Sequence, residues 1–116
     1  MGIDIVNVEF ISNLSEKSFD RIFLKSEISY CKKKENPDLH FAGRYACKEA
    51  ILKSFGLSKD AGLMYNFIEI INNRDGRPFV NFHGNLLKYI KKNNISNVHI
   101  SISHNKEFAV AIAIVI

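Results

Sequence analysis

Cysteine is scarce in this 116-residue chain, which has only Cys31 and Cys47. Their spacing matches no metal-binding or redox motif. We therefore expect two reduced thiols within helices, as is usual in the cytoplasm. The four histidines show no zinc spacing either.

Long apolar runs are also absent. The longest, residues 108–116, is far shorter than the ~20 residues that a membrane helix needs. No signal-peptide pattern precedes the first strand. We expect a cytoplasmic protein without a membrane partner.

The sequence has no glycine-rich phosphate loop, no GxSxG nucleophile motif and no internal repeat. Its length fits one compact domain, residues 1–116.

The net charge of +4 is spread along the chain. The densest cluster of basic residues, at 32–34, is too short for a nucleic-acid arm. A phosphorylated ligand or an acidic protein partner fits this mild excess.

Hydrophobic spacing predicts an α+β fold, in which a mostly antiparallel sheet packs against one long central helix and several short helices. The long helix is expected to begin at Pro37 and to end before a left-handed Gly56. Short helices are predicted over 8–34, with breaks near Ser15 and Ser26. Strands are predicted over 2–6, 67–71, 79–82, 98–103 and 108–116, and a further helix over 84–93.

Asp4 interrupts an apolar strand, where a carboxylate is disfavoured and costly to desolvate. Such a side chain must be hydrogen-bonded, paired or bound to a metal. A strand-edge acid that reaches water is the alternative.

The central helix places Ala42, Gly43, Ala46 and Ala50 on one face, so a neighbouring element can approach closely. Glu49 and Lys53 lie one turn apart at the margin of this face. This pair is either part of a site or an ordinary surface salt bridge.

A third candidate lies where a strand ends, at residues 101–104 (SISH). Alternation sends Ser101 and Ser103 to one face of the sheet. His104 then begins a loop, where binding groups are often displayed. Asp4 and Glu49 suit Mg²⁺, which takes one or two carboxylates plus phosphate oxygens and water. The residues alone predict at most a Mg²⁺-dependent enzyme acting on a phosphorylated ligand.

Four segments, in this order, resemble the holo-acyl-carrier-protein synthases, the small 4′-phosphopantetheinyl transferases. They are GIDIV at 2–6; FAGRYACKEA at 41–50, followed by Lys53 and FG at 55–56; FIEI at 67–70 with GRP at 76–78; and SISH at 101–104 with EFA at 107–109. Together they span nearly the whole chain.

The resemblance implies transfer of 4′-phosphopantetheine from coenzyme A to a serine of apo acyl carrier protein, in support of fatty acid biosynthesis. It implies a homotrimer and a Mg²⁺ cofactor. The roles that it implies are metal binding by Asp4 and Glu49, catalysis by Glu49 and Lys53, and coenzyme A binding by Arg44, Lys48, Lys53, Ser103 and His104.

One segment departs from the family pattern, because Val8, Glu9 and Phe10 stand where members usually carry basic residues for carrier docking. We expect a positive face made by Lys17, Arg21 and Lys25 to replace them.

Three alternative functions are considered for this sequence. They are another Mg²⁺-dependent phosphotransferase or phosphohydrolase, a basic RNA-binding module, and a structural trimer without activity.

Overall fold

The computed structural model describes residues 1–116. Five strands, five α-helices and two 3₁₀ turns alternate along the chain. They are β1 (Gly2–Asn7), α1 (Val8–Ser12), α2 (Glu16–Ile22), α3 (Lys25–Lys32), α4 (Pro37–Phe55), 3₁₀ turns at Ser58–Leu63 and Tyr65–Phe67, β2 (Ile68–Asn72), β3 (Pro78–Phe82), α5 (Gly84–Lys92), β4 (Val98–His104) and β5 (Phe108–Val115).

The strands form two antiparallel sheets, one with the order β1-β5-β4 and the other a β2-β3 hairpin. The predicted α+β class and antiparallel pairing are confirmed, although the strands divide between two sheets. The turn of the hairpin lies between β2 and β3, at residues 73–77. There Gly76 adopts a φ of 86° and donates its N–H to the Asn73 carbonyl.

Helix α4 packs across the inner face of the three-stranded sheet. Both surfaces carry small, fully buried side chains at this contact, which are Ala42, Ala46 and Ala50 on the helix and Ala109, Ala111 and Ala113 on β5. The approach is closest at Gly2, where an added Cβ would lie 1.9 Å from the Ala50 carbonyl oxygen. The predicted small-residue face is therefore the surface on which α4 meets the sheet.

The ends of α4 follow from its sequence. Pro37 occupies the first turn, where its missing N–H costs no hydrogen bond, and Gly56 ends the helix with a φ of 73°. The predicted break near Ser26 is present at Phe23 and Leu24, since α2 ends at Ile22 and α3 begins at Lys25. The Glu27 carboxylate accepts the Leu24 N–H and so caps the start of α3.

Cys31 and Cys47 are free thiols with fully buried side chains, as expected. Burial raises the pKa of Cys31 to about 11 and that of Cys47 to about 12, so both stay protonated. None of the helices combines the length and the apolar character needed to cross a bilayer.

Candidate active site

Asp4 lies in the middle of β1, where its backbone pairs with Ala111 of β5. Strand alternation turns its side chain toward α4 and leaves it 15 % exposed. A carboxylate in this position needs a partner. Lys53 of α4 provides one, since its Nζ donates to Asp4 Oδ1 at 2.7 Å and to the Ile3 carbonyl at 3.3 Å.

The expected alternative for Lys53, an ordinary salt bridge with Glu49 along the helix surface, is not formed. Lys53 pairs with the strand instead. Its side chain is 44 % exposed, so the ammonium contacts both Asp4 and solvent.

Glu49 is half-buried, and its Oε1 accepts a hydrogen bond from the Tyr65 hydroxyl. The Tyr45 hydroxyl lies 3.4 Å from the Tyr65 hydroxyl. Burial, followed by the hydrogen bond to Glu49, raises the pKa of Tyr65, so its hydroxyl keeps its proton at neutral pH.

Asp4, Tyr45, Glu49 and Lys53 line one cleft of about 460 Å³, whose remaining walls come from the end of β1 and from α1. Two carboxylates with an ammonium beside them fit a hard divalent cation that also binds phosphate oxygens. No group of three or more His, Cys, Asp or Glu side chains is placed to hold a metal, so the donor set does not fit zinc.

Lys48 does not reach this cleft or any other surface. Its side chain is fully buried, and its ammonium donates to Glu27 Oε1 at 2.6 Å, the Ile22 carbonyl at 2.6 Å and the Tyr65 carbonyl at 3.1 Å. These three bonds use all of its protons. The prediction that Lys48 contacts a phosphate is therefore wrong.

Arg44 lines a second cavity, of about 190 Å³, together with His40 and His104. Its Nη2 donates to Asn72 Oδ1 at 2.6 Å, and its guanidinium lies 4.4 Å from the centroid of the Tyr30 ring. The side chain is almost fully buried, and its Nε donates to no group of the chain. A buried cation with a spare N–H suits an anionic group.

The two histidines of this second cavity lie edge to face, with ring centroids 4.9 Å apart. Burial, followed by the nearby charges of His104, Lys34 and Arg44, lowers the pKa of His40. A phosphate in the cavity would offset this positive charge.

Ser103 is exposed on the outer face of β4, opposite Val110 of β5. It lines neither cavity. The structure thus brings Asp4, Glu49 and Lys53 together in one place, and Arg44 with His104 in another. These two cavities of one chain have no lining residue in common.

Tyr65 and Tyr45 were not predicted as site residues. Tyr45 lies within the helix motif but is a common core residue type, and Tyr65 lies in a segment predicted to be a loop. Only one signal was present in the sequence: Tyr45 is four residues before Glu49 on α4 and therefore one turn away from it.

Comparisons with known proteins identify the family. A model of the 4′-phosphopantetheinyl transferase superfamily matches residues 1–113. The holo-acyl-carrier-protein synthase of Syntrophus aciditrophicus is 38 % identical over 118 aligned residues, which cover 97 % of this chain and 91 % of the relative.

Solved structures agree with this match. The holo-acyl-carrier-protein synthase from Neisseria meningitidis has the same fold, with a TM-score of 0.88 at 24 % identity over 99 % of this chain and 95 % of that one. The Helicobacter pylori holo-acyl-carrier-protein synthase in complex with coenzyme A has a TM-score of 0.83 at 30 % identity, over 99 % and 98 % of the two chains. The chain therefore belongs to the 4′-phosphopantetheinyl transferase superfamily and, within it, to the holo-acyl-carrier-protein synthase family.

Proposed function

We propose that this chain transfers the 4′-phosphopantetheine group of coenzyme A to a serine of apo acyl carrier protein, in support of fatty acid biosynthesis in the cytoplasm. The relatives are named for this activity, and one of the solved structures contains coenzyme A. The observation that carries the proposal is the shared cleft of Asp4, Glu49 and Lys53, which brings Asp4 together with two residues that follow it by 45 and 49 positions in the sequence.

In the proposed reaction, the serine hydroxyl of the carrier attacks the β-phosphorus of coenzyme A. The bond from that phosphorus to the bridging oxygen breaks, and adenosine 3′,5′-bisphosphate leaves. The Glu49 carboxylate accepts the hydroxyl proton. Lys53, which is half exposed to the cleft, stabilises the negative charge on the phosphate oxygens.

Mg²⁺ is the proposed cofactor, and Asp4 and Glu49 are the residues that would hold it. When bound, the cation would supply Lewis-acid stabilisation of the diphosphate. Lys53 contacts Asp4 Oδ1 at 2.7 Å, which fixes the position of this side chain at the cleft.

The cavity around Arg44 is the proposed site for the nucleotide part of coenzyme A. The positive charge of Arg44, whose side chain lines this cavity, and the neighbouring His104 support binding of a phosphate there. Ser103 precedes His104 on β4 and lies on the outer face of the sheet, and it is the third residue proposed for this part of the ligand.

A homotrimer with active sites between subunits is proposed as the working form. The outer face of the three-stranded sheet supports it, because large apolar side chains lie exposed side by side on β1 and β5: Ile3, Ile5, Phe108, Ile112 and Ile114. Association of copies through this face would bury them. It would also allow the metal cleft of one chain to adjoin the nucleotide cavity of another.

Carrier docking is proposed on α2 and the start of α3. Lys17 and Arg21 are exposed one turn apart on α2, and Lys25 is exposed at the first position of α3. The expected basic residues of α1 are absent, since Val8 is buried there and Glu9 is acidic. An acidic carrier protein would be attracted to the lysine and arginine cluster.

The mass of an apo acyl carrier protein, measured after incubation with coenzyme A and this chain, tests the function. We expect a gain of one phosphopantetheine arm that requires Mg²⁺. The Glu49→Gln variant should fold normally but lose at least ~100-fold in transfer rate, within the usual range for removing a general base.

Each possible failure has a separate meaning. No mass gain with any apo carrier protein would overturn the transferase assignment. Unchanged transfer after removal of divalent ions with a chelator would reject only the cofactor. A normal rate in the Glu49→Gln variant would reject the role given to Glu49.

A further inference from the structure

Tyr65 is held at both ends by two consecutive residues of α4. Its carbonyl accepts the Lys48 ammonium at 3.1 Å, and its hydroxyl donates to Glu49 Oε1. A side chain fixed in this way has little freedom to turn, so its hydroxyl marks a defined point beside Glu49.

The anchor at the carbonyl end is rigid. Lys48 is fully buried and is shared with the Glu27 carboxylate and the Ile22 carbonyl. Glu27 in turn accepts the Ile70 N–H at 3.0 Å, which attaches the same group to β2. The backbone at Tyr65 is thus fixed to α2, α3, α4 and β2 through one buried ion pair.

At the hydroxyl end, Tyr65 occupies one of the two carboxylate oxygens of Glu49. The Tyr45 hydroxyl lies 3.4 Å from the Tyr65 hydroxyl, and because Tyr65 uses its proton on Glu49, Tyr45 is the donor in that contact. The two hydroxyls therefore form a chain of hydrogen bonds that runs from Tyr45 through Tyr65 to Glu49 Oε1. The orientation of the carboxylate is set, and Oε2 is the oxygen left for a ligand.

We propose that Tyr65 is a positioning residue, whose hydroxyl fixes the Glu49 carboxylate for metal binding and for transfer. This inference rests on the proposed function and adds a residue to it. The role resembles that of hydrogen-bond partners behind metal ligands, whose loss typically costs 10–100-fold in metal affinity or activity.

The Tyr65→Phe variant tests the inference, because it removes one oxygen atom and keeps the ring. Tyr89→Phe is the matched control, since it removes the same atom from a tyrosine whose hydroxyl donates to the Phe55 carbonyl at 3.4 Å and which lines neither cavity. Mn²⁺ is titrated by electron paramagnetic resonance into each protein, alone and with coenzyme A, in the absence of carrier protein. The values of kcat and of KM for the carrier protein are then measured separately.

For Tyr65→Phe we expect about 10-fold or greater weakening of Mn²⁺ binding and a comparable fall in kcat, with KM for the carrier protein changed by less than about threefold. Tyr89→Phe should stay within about threefold of the wild type in both measurements. Thermal unfolding should show both variants folded.

Unchanged Mn²⁺ affinity and kcat in Tyr65→Phe would overturn the inference. Equal losses in both variants would also overturn it, because they would indicate that loss of any tyrosine hydroxyl disturbs the protein, whether or not it contacts Glu49. Metal binding can be measured without turnover. If the wild type binds Mn²⁺ but transfers nothing, the proposed function fails while the role of Tyr65 toward Glu49 is still tested.

Discussion

At the residue scale, the buried pair of Lys48 and Glu27 has the largest energetic consequence. Both side chains are fully buried, and their charged atoms lie 2.6 Å apart. Desolvation lowers the pKa of Lys48, while the carboxylate of Glu27 opposes this shift. Each charge is tolerable in the core only because the other is present.

Replacing Lys48 by Met tests this dependence. Met has a similar length but no charge, so the variant leaves the Glu27 carboxylate buried without its counter-ion. We expect a loss of about 3–5 kcal/mol in the free energy of unfolding, measured by urea denaturation.

The double variant Lys48→Met with Glu27→Gln is the control. It removes the unpaired charge, and the Gln amide oxygen can still accept a backbone N–H from Leu24 or Ile70. We expect part of the lost stability to return. A single variant within ~1 kcal/mol of the wild type would contradict the assigned role of the pair.

At the element scale, local signals predicted most of the fold. Pro37 and Gly56 marked the ends of α4, and the strands lie within one residue of their predicted bounds. The site was predictable in part, because Asp4 within an apolar strand and Glu49 at the margin of a small-residue face are local anomalies. The resemblance to a family added their roles.

What could not be predicted depends on contacts between distant segments. Lys48 and Lys53 are both helix lysines, yet one is buried by α3 and the other faces β1. Their sequence neighbourhoods do not distinguish these outcomes. Tyr65 likewise reaches Glu49 only because the 3₁₀ turn at Tyr65–Phe67 packs beside α4.

The contact between β1 and α4 yields a prediction at this scale. A Cβ at Gly2 would lie 1.9 Å from the Ala50 carbonyl oxygen and 2.9 Å from the Ser54 nitrogen, so β1 must shift in a Gly2→Ala variant. We expect a loss of about 1–3 kcal/mol in the free energy of unfolding. Transfer should also slow, because Asp4 lies two residues further along the displaced strand.

Gly62→Ala is the matched control, since nothing lies within 4 Å of a Cβ at that position. Its free energy of unfolding should change by at most ~0.5 kcal/mol. Urea denaturation and the carrier-mass measurement compare the two variants. Equal stability of both would show that the strand and the helix are not as tightly packed as the structure indicates.

At the scale of the whole molecule, the three-stranded sheet has two unlike faces. Its inner face carries alanines packed against α4, and its outer face exposes isoleucines and Phe108. Alternation along β5 separates them, with Ala111 and Ala113 fully buried and Ile112 and Ile114 exposed. An apolar sheet face of this extent favours association with another copy.

Ile112 is the residue to change, because it lies on the central strand between Ile3 of β1 and Ser101 of β4. It is 38 % exposed, so a lysine there can extend into solvent in a single chain. In a trimer built on this face, the same charge would be buried without a partner. We expect the wild type to have about three times the mass of the 13.2 kDa chain in sedimentation equilibrium, and Ile112→Lys to have the mass of one chain.

A control variant and measurements of transfer activity test whether trimer formation is needed for function. Leu63→Lys introduces the same charge at an 80 % exposed leucine in a 3₁₀ turn outside the sheet, so it should remain trimeric and active. Ile112→Lys should stay folded by circular dichroism but lose most of its transfer activity, because each chain would lack its neighbour's half of the site. A fully active single-chain form would contradict the shared site, since the metal cleft and the nucleotide cavity would then have to serve one coenzyme A within one chain.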